Sequence, residues 1–289
     1  RPDFVLGYTI KPVIYGSLAA WLARVPRRFA LIPGLGYSFL GDGHRRRLQG
    51  LVQKLYGAAL ARVQGVFFQN PDDAVLFKER GILPASVPAC VVNGSGVDVA
   101  HFAVAPLPAH ENGMHFLLIG RLLGDKGVRE YAAAAQIVKA QHPGAIFTLV
   151  GGLDSNPDSI AQSELDAWLA AGMLEYLGKQ TDVRPALAAC HVYVLPSYRE
   201  GTPRSSLEAM ATGRAIITTD APGCRETVVN GDNGFLVPVR DAQALAAAMM
   251  KFIEQPKLIA KMGARSRQIA EEKYDVHKVN AVMLREMGL

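Results

Sequence analysis

Short apolar runs alternate with segments of helical periodicity along nearly the whole chain. Runs with the length and composition of β-strands fall at 3–8, 28–32, 65–69, 89–93, 114–119, 145–150, 174–178, 191–195, 215–218 and 234–237. Segments of helical periodicity fall at 12–25, 44–62, 72–80, 127–141, 160–171, 182–189, 204–212, 223–229 and 241–254, and two more helices are expected in the tail at 256–289. Regular alternation of this kind predicts an α/β fold with parallel sheets and right-handed crossovers.

The segment 103–113 is the best candidate for a linker between two domains. It contains two prolines, shows no periodicity and coincides with a shift in charge. Four predicted strands precede it and six follow it. The chain is therefore expected to form a small first domain and a larger second one.

The positive charge of the chain lies in its first third. Residues 1–110 carry 12 Lys and Arg against 6 Asp and Glu, which gives +6, and residues 111–289 carry 19 against 20, which gives −1. The densest cluster is Arg45, Arg46 and Arg47. A basic domain favours an anionic partner, such as a membrane surface or a pyrophosphate lipid, with a solvated helix face as the alternative. Nucleic acid is not expected, because no aromatic residues interleave with these arginines.

The three cysteines, Cys90, Cys190 and Cys224, lie far apart and have no CxxC spacing. This pattern predicts reduced thiols in a cytoplasmic protein, and no metal site. No apolar run is long enough to cross a bilayer, and no signal peptide is expected.

The segment 191–212 combines a strand, a polar loop and a helix that starts near Pro203 or Arg204. Glu200 lies in the loop and Glu208 about one turn inside the helix. Free N–H groups and the positive end of the helix dipole make such a junction a site for phosphorylated ligands. A carboxylate beside it suits sugar hydroxyls, which can donate to both of its oxygens.

This spacing resembles the E-x7-E motif of the retaining glycosyltransferases of the GT-B fold, family 4 (glycosyl transferases group 1). Three other segments resemble further blocks of the family and occur in the same order: "NGSGVD" at 93–98, "GRL" at 120–122 followed by "DKG" at 125–127, and "APGCRE" with "NGDNGF" at 221–235. The resemblance implies two Rossmann-like doubly wound parallel-sheet domains.

The resemblance also implies a domain organisation. It predicts a partial N-terminal acceptor-side domain at 1–105, a donor-binding domain at 106–272, and a final helix at 273–289, from Tyr274 to Met287, that returns to the first domain. The family's first domain begins with about three further βα units, of roughly 30 residues each. The N-terminal domain is therefore expected to be truncated, with the chain a fragment of a longer protein or, alternatively, a short natural variant.

On the donor side, the resemblance implies that Arg121 and Lys126 contact the diphosphate. A forked guanidinium and an ammonium can neutralise a leaving diphosphate, so no metal or other cofactor is expected. Glu208 would bind the ribose. The backbone of Ser205, Ser206 and Leu207 would face the phosphates, and that of Gly178 and Lys179 the base, with Gly151 allowing a close approach. The alternatives are exposed loop cations, a helix-stabilising first-turn acid at Glu208, and plain tight turns at Gly151 and Gly178.

Glu200 would lie close to the transferred sugar, with Gly201 and Thr202 presenting main-chain groups to its hydroxyls. Retaining enzymes of this fold lack an obvious protein nucleophile, so Glu200 would orient the sugar or stabilise oxocarbenium charge. The alternative is a loop carboxylate paired with Arg199 or Arg204.

On the acceptor side, Lys11, Gly34 and Gly36 would follow strands of the first domain. Many family members carry a histidine near Pro33, so a histidine-based mechanism does not transfer directly. His44 does not replace it, and His191, which opens a strand, is expected to be structural.

The segments "TIKP" at 9–12 and "GLGY" at 34–37 resemble a subgroup that builds bacterial surface polysaccharides on lipid-pyrophosphate carriers. The implied reaction is retaining transfer of a hexose or N-acetylhexosamine from a UDP-sugar to a glycan or a polyprenyl-pyrophosphate-linked saccharide, at the inner face of the bacterial plasma membrane. The alternatives are a nucleotide-sugar epimerase, a phosphorylase, or a fragment that binds nucleotide without turnover.

Overall fold

The computed structural model of the chain describes residues 2–35, 46–109 and 113–289. The strands are β1 Phe4–Tyr8, β2 Arg27–Ile32, β3 Gly65–Phe68, β4 Ala89–Val91, β5 His115–Ile119, β6 Ile146–Val150, β7 Glu175–Tyr176, β8 Val192–Leu195, β9 Ala215–Thr219 and β10 Gly234–Val237. The α-helices are α1 Ser17–Leu22, α2 Arg46–Leu60, α3 Pro71–Glu79, α4 Val128–Gln141, α5 Gln162–Ala170, α6 Arg184–Ala189, α7 Arg204–Ala211, α8 Ala242–Glu254, α9 Lys257–Ile269 and α10 Val276–Met287. Every predicted strand is confirmed to within two residues at each end, and all strand pairs between these elements are parallel.

The chain forms two compact units, and the first comprises Arg1–Gly96, Glu200–Thr202 and Val276–Leu289. Its sheet has the order β1-β2-β3-β4. One core cluster contains Phe68 and Phe77, whose rings meet edge to face at 5.2 Å. A second cluster includes Phe29 and Phe67 of the sheet and Met287 of α10, so the last helix packs on this unit.

The second unit comprises Val97–Arg199 and Pro203–Asp275. Its sheet has the order β10-β9-β8-β5-β6-β7, and its large core combines buried side chains of strands β5, β6, β8 and β9 with those of helices α4, α7, α8 and α9. The strand order reverses between β5 and β8, because β5 pairs with β6 on one side and with β8 on the other. In open α/β sheets, ligands bind beyond the carboxyl ends of the strands at such a reversal. A ligand-binding site is therefore expected at the loops that follow β5 and β8.

Several predicted boundaries need correction. The helix expected at 12–25 begins with a π-helical turn, Pro12–Gly16, and ends at Leu22. The segment expected to be helical at 223–229 forms only a 3₁₀ turn, Arg225–Thr227. The last helix begins at Val276 and not at Tyr274, because the helical path before it ends as a π turn and Asp275 has an extended ψ of 125°.

The first segment of the first unit ends at Gly96, nine residues before the domain boundary predicted at residue 105. Gly96 has a φ of +72°, and a Cβ there would lie 2.6 Å from the Cα of Val276 in the same unit. The glycine-rich turn therefore packs directly against the start of α10, and the chain leaves the first unit immediately after it.

The start of the predicted linker is bound to the second unit by a buried arginine, and residues 110–112 of that linker lie outside the described residues. Arg214 is fully buried and donates to the carbonyl oxygens of Ala105 and Pro106 at 2.9 and 3.0 Å. It also donates to the carbonyls of Leu187 and Ala188 at the end of α6, at 2.8 and 3.0 Å. Four carbonyl acceptors satisfy the buried guanidinium, which would be costly to bury unpaired.

Within the described residues, no helix is both long enough and apolar enough to cross a membrane.

Candidate nucleotide-binding site

The loops after β5 and β8 are joined where the strand order reverses. Lys126 ends a 3₁₀ turn, Gly124–Lys126, and is followed by Gly127 with a φ of +70°. A Cβ at Gly127 would lie 2.2 Å from the carbonyl oxygen of Pro196, so only glycine fits there. The amide of Tyr198 donates to the carbonyl of Asp125 at 2.8 Å. The turn that carries Lys126 is thus held against the loop after β8.

Arg121, Gly151 and Lys179, which the motifs place in three different loops, line one cavity of about 310 Å³. Asp154 and Gln180 line it as well. The cavity lies where β5, β6 and β7 end, which are neighbouring parallel strands. The structure therefore brings the predicted diphosphate arginine and the loop predicted to face the base to one opening.

The glycines of this cavity serve backbone contacts. Gly151 has a φ of +155°, and a Cβ there would lie 1.7 Å from the carbonyl oxygen of Gly120. Its amide donates to the carbonyl of Gly178 at 3.0 Å, and Gly178 itself has a φ of +66°. The three loops are therefore in direct main-chain contact, which fixes the shape of the cavity floor.

Helix α7 begins at Arg204 without a side-chain cap. The amides of Ser206 and Leu207 donate to the carbonyl of Pro203 at 3.1 and 3.2 Å. Within the described part of the chain, the Ser205 amide makes no hydrogen bond, so it is the one of the three predicted donors that is open to a phosphate oxygen. The Ser205 hydroxyl accepts from the Tyr193 hydroxyl at 2.6 Å, which ties the helix start to β8.

Glu208 lies in the second turn of α7, with a side chain that is 14% exposed. Burial raises the pKa of its carboxyl group, and the charge of Arg204 opposes this shift. The Arg204 guanidinium is 3.7 Å away and largely exposed. A carboxylate with one long, solvent-exposed partner keeps lone pairs for hydroxyl donors, as a ribose contact requires.

Glu200, Gly201 and Thr202 belong to the first unit. The side-chain amide of Asn70 donates to the carbonyls of Glu200 and Gly201 at 3.3 and 3.0 Å. The Thr202 hydroxyl donates to the carbonyl of Gln69 at 2.9 Å. Asn70 and Gln69 follow β3 directly, so the end of this strand fixes the segment that carries Glu200.

Close backbone packing surrounds Gly201. A Cβ at Gly201 would lie 1.5 Å from the carbonyl oxygen of Pro33, and a Cβ at Gly34 would lie 3.1 Å from the amide nitrogen of Gly201. Pro33 and Gly34, which were predicted on the acceptor side, therefore contact the segment that follows Glu200.

Among the other residues singled out in the sequence, Lys11 and His191 lie within the described residues. Lys11 is exposed and immediately precedes the π-helical turn. Gly36, His44 and Arg45 lie outside the described residues. His191 is buried and accepts from the His115 amide through Nδ1 at 3.0 Å, in agreement with a structural role.

Two polar residues that were not predicted from the sequence, Asn70 and Asp154, bind the Glu200 segment and Arg121. Asn70 caps α3 by accepting from the Asp73 amide at 2.8 Å, and it also binds the Glu200 segment. Asp154 pairs with Arg121 at 3.1 Å. The Asn-Pro pair at the start of α3 predicts the helix cap, and the loop after β6 is recognisable as polar. Neither pattern predicts which distant residue the side chain contacts.

The described residues contain no group of three or more His, Cys, Asp or Glu side chains arranged to hold a metal ion.

Solved structures share this fold along nearly the whole chain. HepE from Anabaena, solved in complex with UDP-glucose, superposes with a TM-score of 0.82 at 22% identity, covering 99% of this chain and 78% of that one. Sucrose-phosphate synthase from Thermosynechococcus elongatus gives a TM-score of 0.81 at 20% identity, covering 98% and 72%. The two parallel-sheet units therefore have the GT-B architecture that the resemblance implied.

Sequence comparisons agree. Residues 113–255 match the profile described as glycosyl transferases group 1. The chain is 31% identical over 280 residues to the N,N'-diacetylbacillosaminyl-diphospho-undecaprenol alpha-1,3-N-acetylgalactosaminyltransferase of Campylobacter jejuni, covering 93% of this chain and 72% of that protein. It is 28% identical over 269 residues to the UDP-Gal:alpha-D-GlcNAc-diphosphoundecaprenol alpha-1,3-galactosyltransferase of Escherichia coli, covering 89% and 67%. The chain belongs to the group 1 family of glycosyltransferases.

Proposed function

We propose that this glycosyltransferase transfers a hexose or N-acetylhexosamine from a UDP-sugar to a saccharide linked to a polyprenyl diphosphate, with retention of anomeric configuration. The observation that carries the proposal is the convergence of Arg121, Gly151 and Lys179 on one cavity at the carboxyl ends of the second unit's strands. A cavity of about 310 Å³ lies at the lower end of the range for small-molecule sites.

The positive charges after β5 would stabilise the diphosphate leaving group of the donor. Arg121 and Lys126 lie in the loop after β5 and would neutralise the diphosphate as it leaves. The Ser205 amide at the start of α7 would add a main-chain donor, and Glu208 would accept hydrogen bonds from the ribose. These groups would supply the charge stabilisation that the leaving group needs without a bound metal ion.

Retention would follow if the acceptor hydroxyl attacked the anomeric carbon on the face from which the diphosphate leaves and passed its proton to a diphosphate oxygen, with no covalent sugar–enzyme intermediate. Glu200 would orient the sugar or stabilise positive charge at its anomeric carbon, while the departing diphosphate guides the acceptor to the same face. Two relatives, from Campylobacter jejuni and Escherichia coli, are named for alpha-1,3 transfer, and the latter is named for UDP-Gal. Since UDP-galactose is itself an α-glycoside, an α-linked product corresponds to retention.

The acceptor would be a lipid-linked saccharide. Both of these relatives are named for acceptors linked to undecaprenol through a diphosphate. The excess positive charge of residues 1–110 would favour both that diphosphate and an anionic membrane surface. The enzyme would then work at the cytoplasmic face of the membrane, in the synthesis of lipopolysaccharide, capsule or O-antigen.

Calorimetric titration with UDP and with GDP tests the donor assignment. Saturable binding of UDP, weak or absent binding of GDP, and weaker binding of UDP by Glu208→Ala are expected. Binding of GDP in preference to UDP would contradict the choice of base, and binding of neither would contradict the site.

Product analysis tests the reaction. With a UDP-hexose and a diphosphate-linked saccharide, an extended glycan with an α-linkage is expected by NMR. An epimerised nucleotide sugar or a sugar phosphate would support an epimerase or a phosphorylase instead. Binding of UDP without any product would support a fragment that binds nucleotide without turnover.

A further inference from the structure

The loop Leu153–Ile160 runs antiparallel to the loop that carries Arg121 and Lys126, and we call it the brace loop. The Ile160 amide donates to the Leu122 carbonyl at 2.8 Å, and Leu123 and Ser159 form an antiparallel bridge. Asp158 accepts from the Gly124 amide through its carbonyl at 2.8 Å and from the Asp125 amide through its carboxylate at 2.7 Å. The brace loop thus holds the main chain of the predicted diphosphate loop along most of its length.

Asp154 is the brace-loop residue that contacts one of the predicted diphosphate cations directly. Its Oδ2 accepts from Nη1 of Arg121 at 3.1 Å. Its Oδ1 accepts from the Asn156 amide at 2.9 Å, and its own amide donates to the Ser159 hydroxyl at 3.1 Å. The carboxylate is therefore fixed by its own loop, whereas the Arg121 side chain is 63% exposed.

The ion pair uses only one end of the guanidinium. Within the described part of the chain, Arg121 has no other hydrogen-bond or ion-pair partner. Its Nε and Nη2 edge, which forms parallel bonds to an oxyanion, is left available. Asp154 is therefore placed to aim the arginine rather than to occupy its phosphate-binding edge.

We propose that Asp154 is a positioning residue, which holds Arg121 so that its open edge faces the diphosphate of the donor. This inference rests on the proposed function, since it assumes that Arg121 meets a diphosphate. An unrestrained, exposed arginine must lose side-chain freedom when it binds, and a prior ion pair removes part of that cost.

The charge needed for this role is present at neutral pH. The Asn156 amide and then the Arg121 guanidinium hold the pKa of the Asp154 carboxyl below its usual range. The carboxylate stays ionised wherever the enzyme would meet its donor.

The test compares UDP with uridine for the wild-type chain and Asp154→Asn. Asparagine keeps the oxygen that accepts from the Asn156 amide but loses the charge that holds Arg121. We expect affinity for UDP to fall about 5-fold, which is the upper end for an exposed ion pair. Affinity for uridine, followed by ligand-observed NMR, should not change, because uridine carries no phosphate.

A double-mutant cycle shows whether Asp154 acts through Arg121. In an Arg121→Ala background, Asp154→Asn should have no further effect on UDP affinity. Asp232→Asn is the matched control, because it breaks another partly exposed ion pair, to Arg265 at 2.7 Å, between residues that do not line this cavity. It should leave UDP affinity unchanged.

The outcomes separate this inference from the function on which it rests. Failure of the wild-type chain to bind UDP would overturn the proposed function. If the wild type binds, unchanged or tighter UDP binding by Asp154→Asn would overturn the positioning role. An equal loss for UDP and uridine would also overturn it, because it would indicate a general disturbance of the brace loop.

Discussion

Glu200 and Glu208 are the two carboxylates of one E-x7-E motif, but their surroundings differ. Glu208 lies inside α7, in the second unit, where burial raises the pKa of its carboxyl group. Glu200 lies in a loop that groups with the first unit, and its carbonyl is bound by the side chain of Asn70. A helix and its core position one carboxylate, and a contact across 130 residues of sequence positions the other.

The two carboxylates of one sequence motif therefore belong to two different structural elements. The Glu208 end depends on local helix geometry within the second unit. The Glu200 end depends on Asn70, Gly201 and Pro33, which meet only when the first unit is folded. If Glu208 binds the nucleotide and Glu200 does not, substitutions at Glu208 should weaken UDP binding, and substitutions around Glu200 should not.

The largest effect is expected from Glu208→Ala. Loss of charge-assisted hydrogen bonds to the ribose should cost about 1.5–3 kcal/mol, or roughly 10- to 150-fold in UDP affinity. Calorimetry measures this directly. Glu254→Ala, which removes an exposed carboxylate at the end of α8, serves as the control and should bind UDP normally. Unchanged affinity in Glu208→Ala would contradict the ribose assignment.

Gly201→Ala should disturb the packing of the Glu200 segment and destabilise the folded chain. The new methyl group would meet the Pro33 carbonyl at 1.5 Å, and backbone atoms on both sides would have to move. Overpacking of this kind costs about 1–3 kcal/mol, measured as the free energy of unfolding in urea. Gly16→Ala is the control in the same unit, because its Cβ would meet nothing within 4 Å. A neutral effect of Gly201→Ala would show that this packing is not constraining.

Two substitutions of Asn70 distinguish its role as the cap of α3 from its hydrogen bonds to the Glu200 segment. Asn70→Ala should cost about 1 kcal/mol of stability through the lost cap, and it also frees the Glu200 and Gly201 carbonyls. Asn70→Ser keeps a capping oxygen but is too short to reach those carbonyls. Amide exchange around residues 200–202 should therefore rise in both variants, while stability falls mainly in Asn70→Ala. Slow exchange in Asn70→Ser would contradict the contact.

The smallest effect concerns pH. Burial raises the pKa of Glu208 in the folded chain, so protonation begins at a higher pH than in an ordinary glutamate. UDP affinity should then fall on mild acidification, by less than the loss in Glu208→Ala. The contribution of Glu208 to folding has the opposite sign, because a raised acid pKa means that protonation favours the folded state. Comparing wild type with Glu208→Gln cancels the titration of UDP itself, and parallel curves would contradict the role of Glu208.

The sequence predicted the strands, most of the helices and the loops that would carry the donor-side residues. Local patterns are enough for this prediction, because apolar runs mark the strands and helical periodicity marks the helices. In a parallel sheet, the loops that follow the strands then lie at one edge. The convergence of Arg121, Gly151 and Lys179 follows from the order β8-β5-β6-β7.

The pairings that hold these residues could not be predicted. Asn70 with Gly201 and Arg121 with Asp154 are side-chain contacts between distant segments, and a single sequence carries no signal that links them. The irregular turns were also missed. The π-helical turn at Pro12–Gly16 and the 3₁₀ turn at Arg225–Thr227 both lie in segments that were predicted to be α-helical.

A paired calorimetric titration of Glu200→Gln and Glu208→Gln with UDP tests whether the two carboxylates have separate roles. Both changes remove one charge and keep the side-chain shape, at positions eight residues apart. We expect Glu208→Gln to bind UDP at least tenfold more weakly than the wild type, and Glu200→Gln to bind it with wild-type affinity. Equal losses in both variants would contradict the claim that the two ends of the motif serve separate tasks.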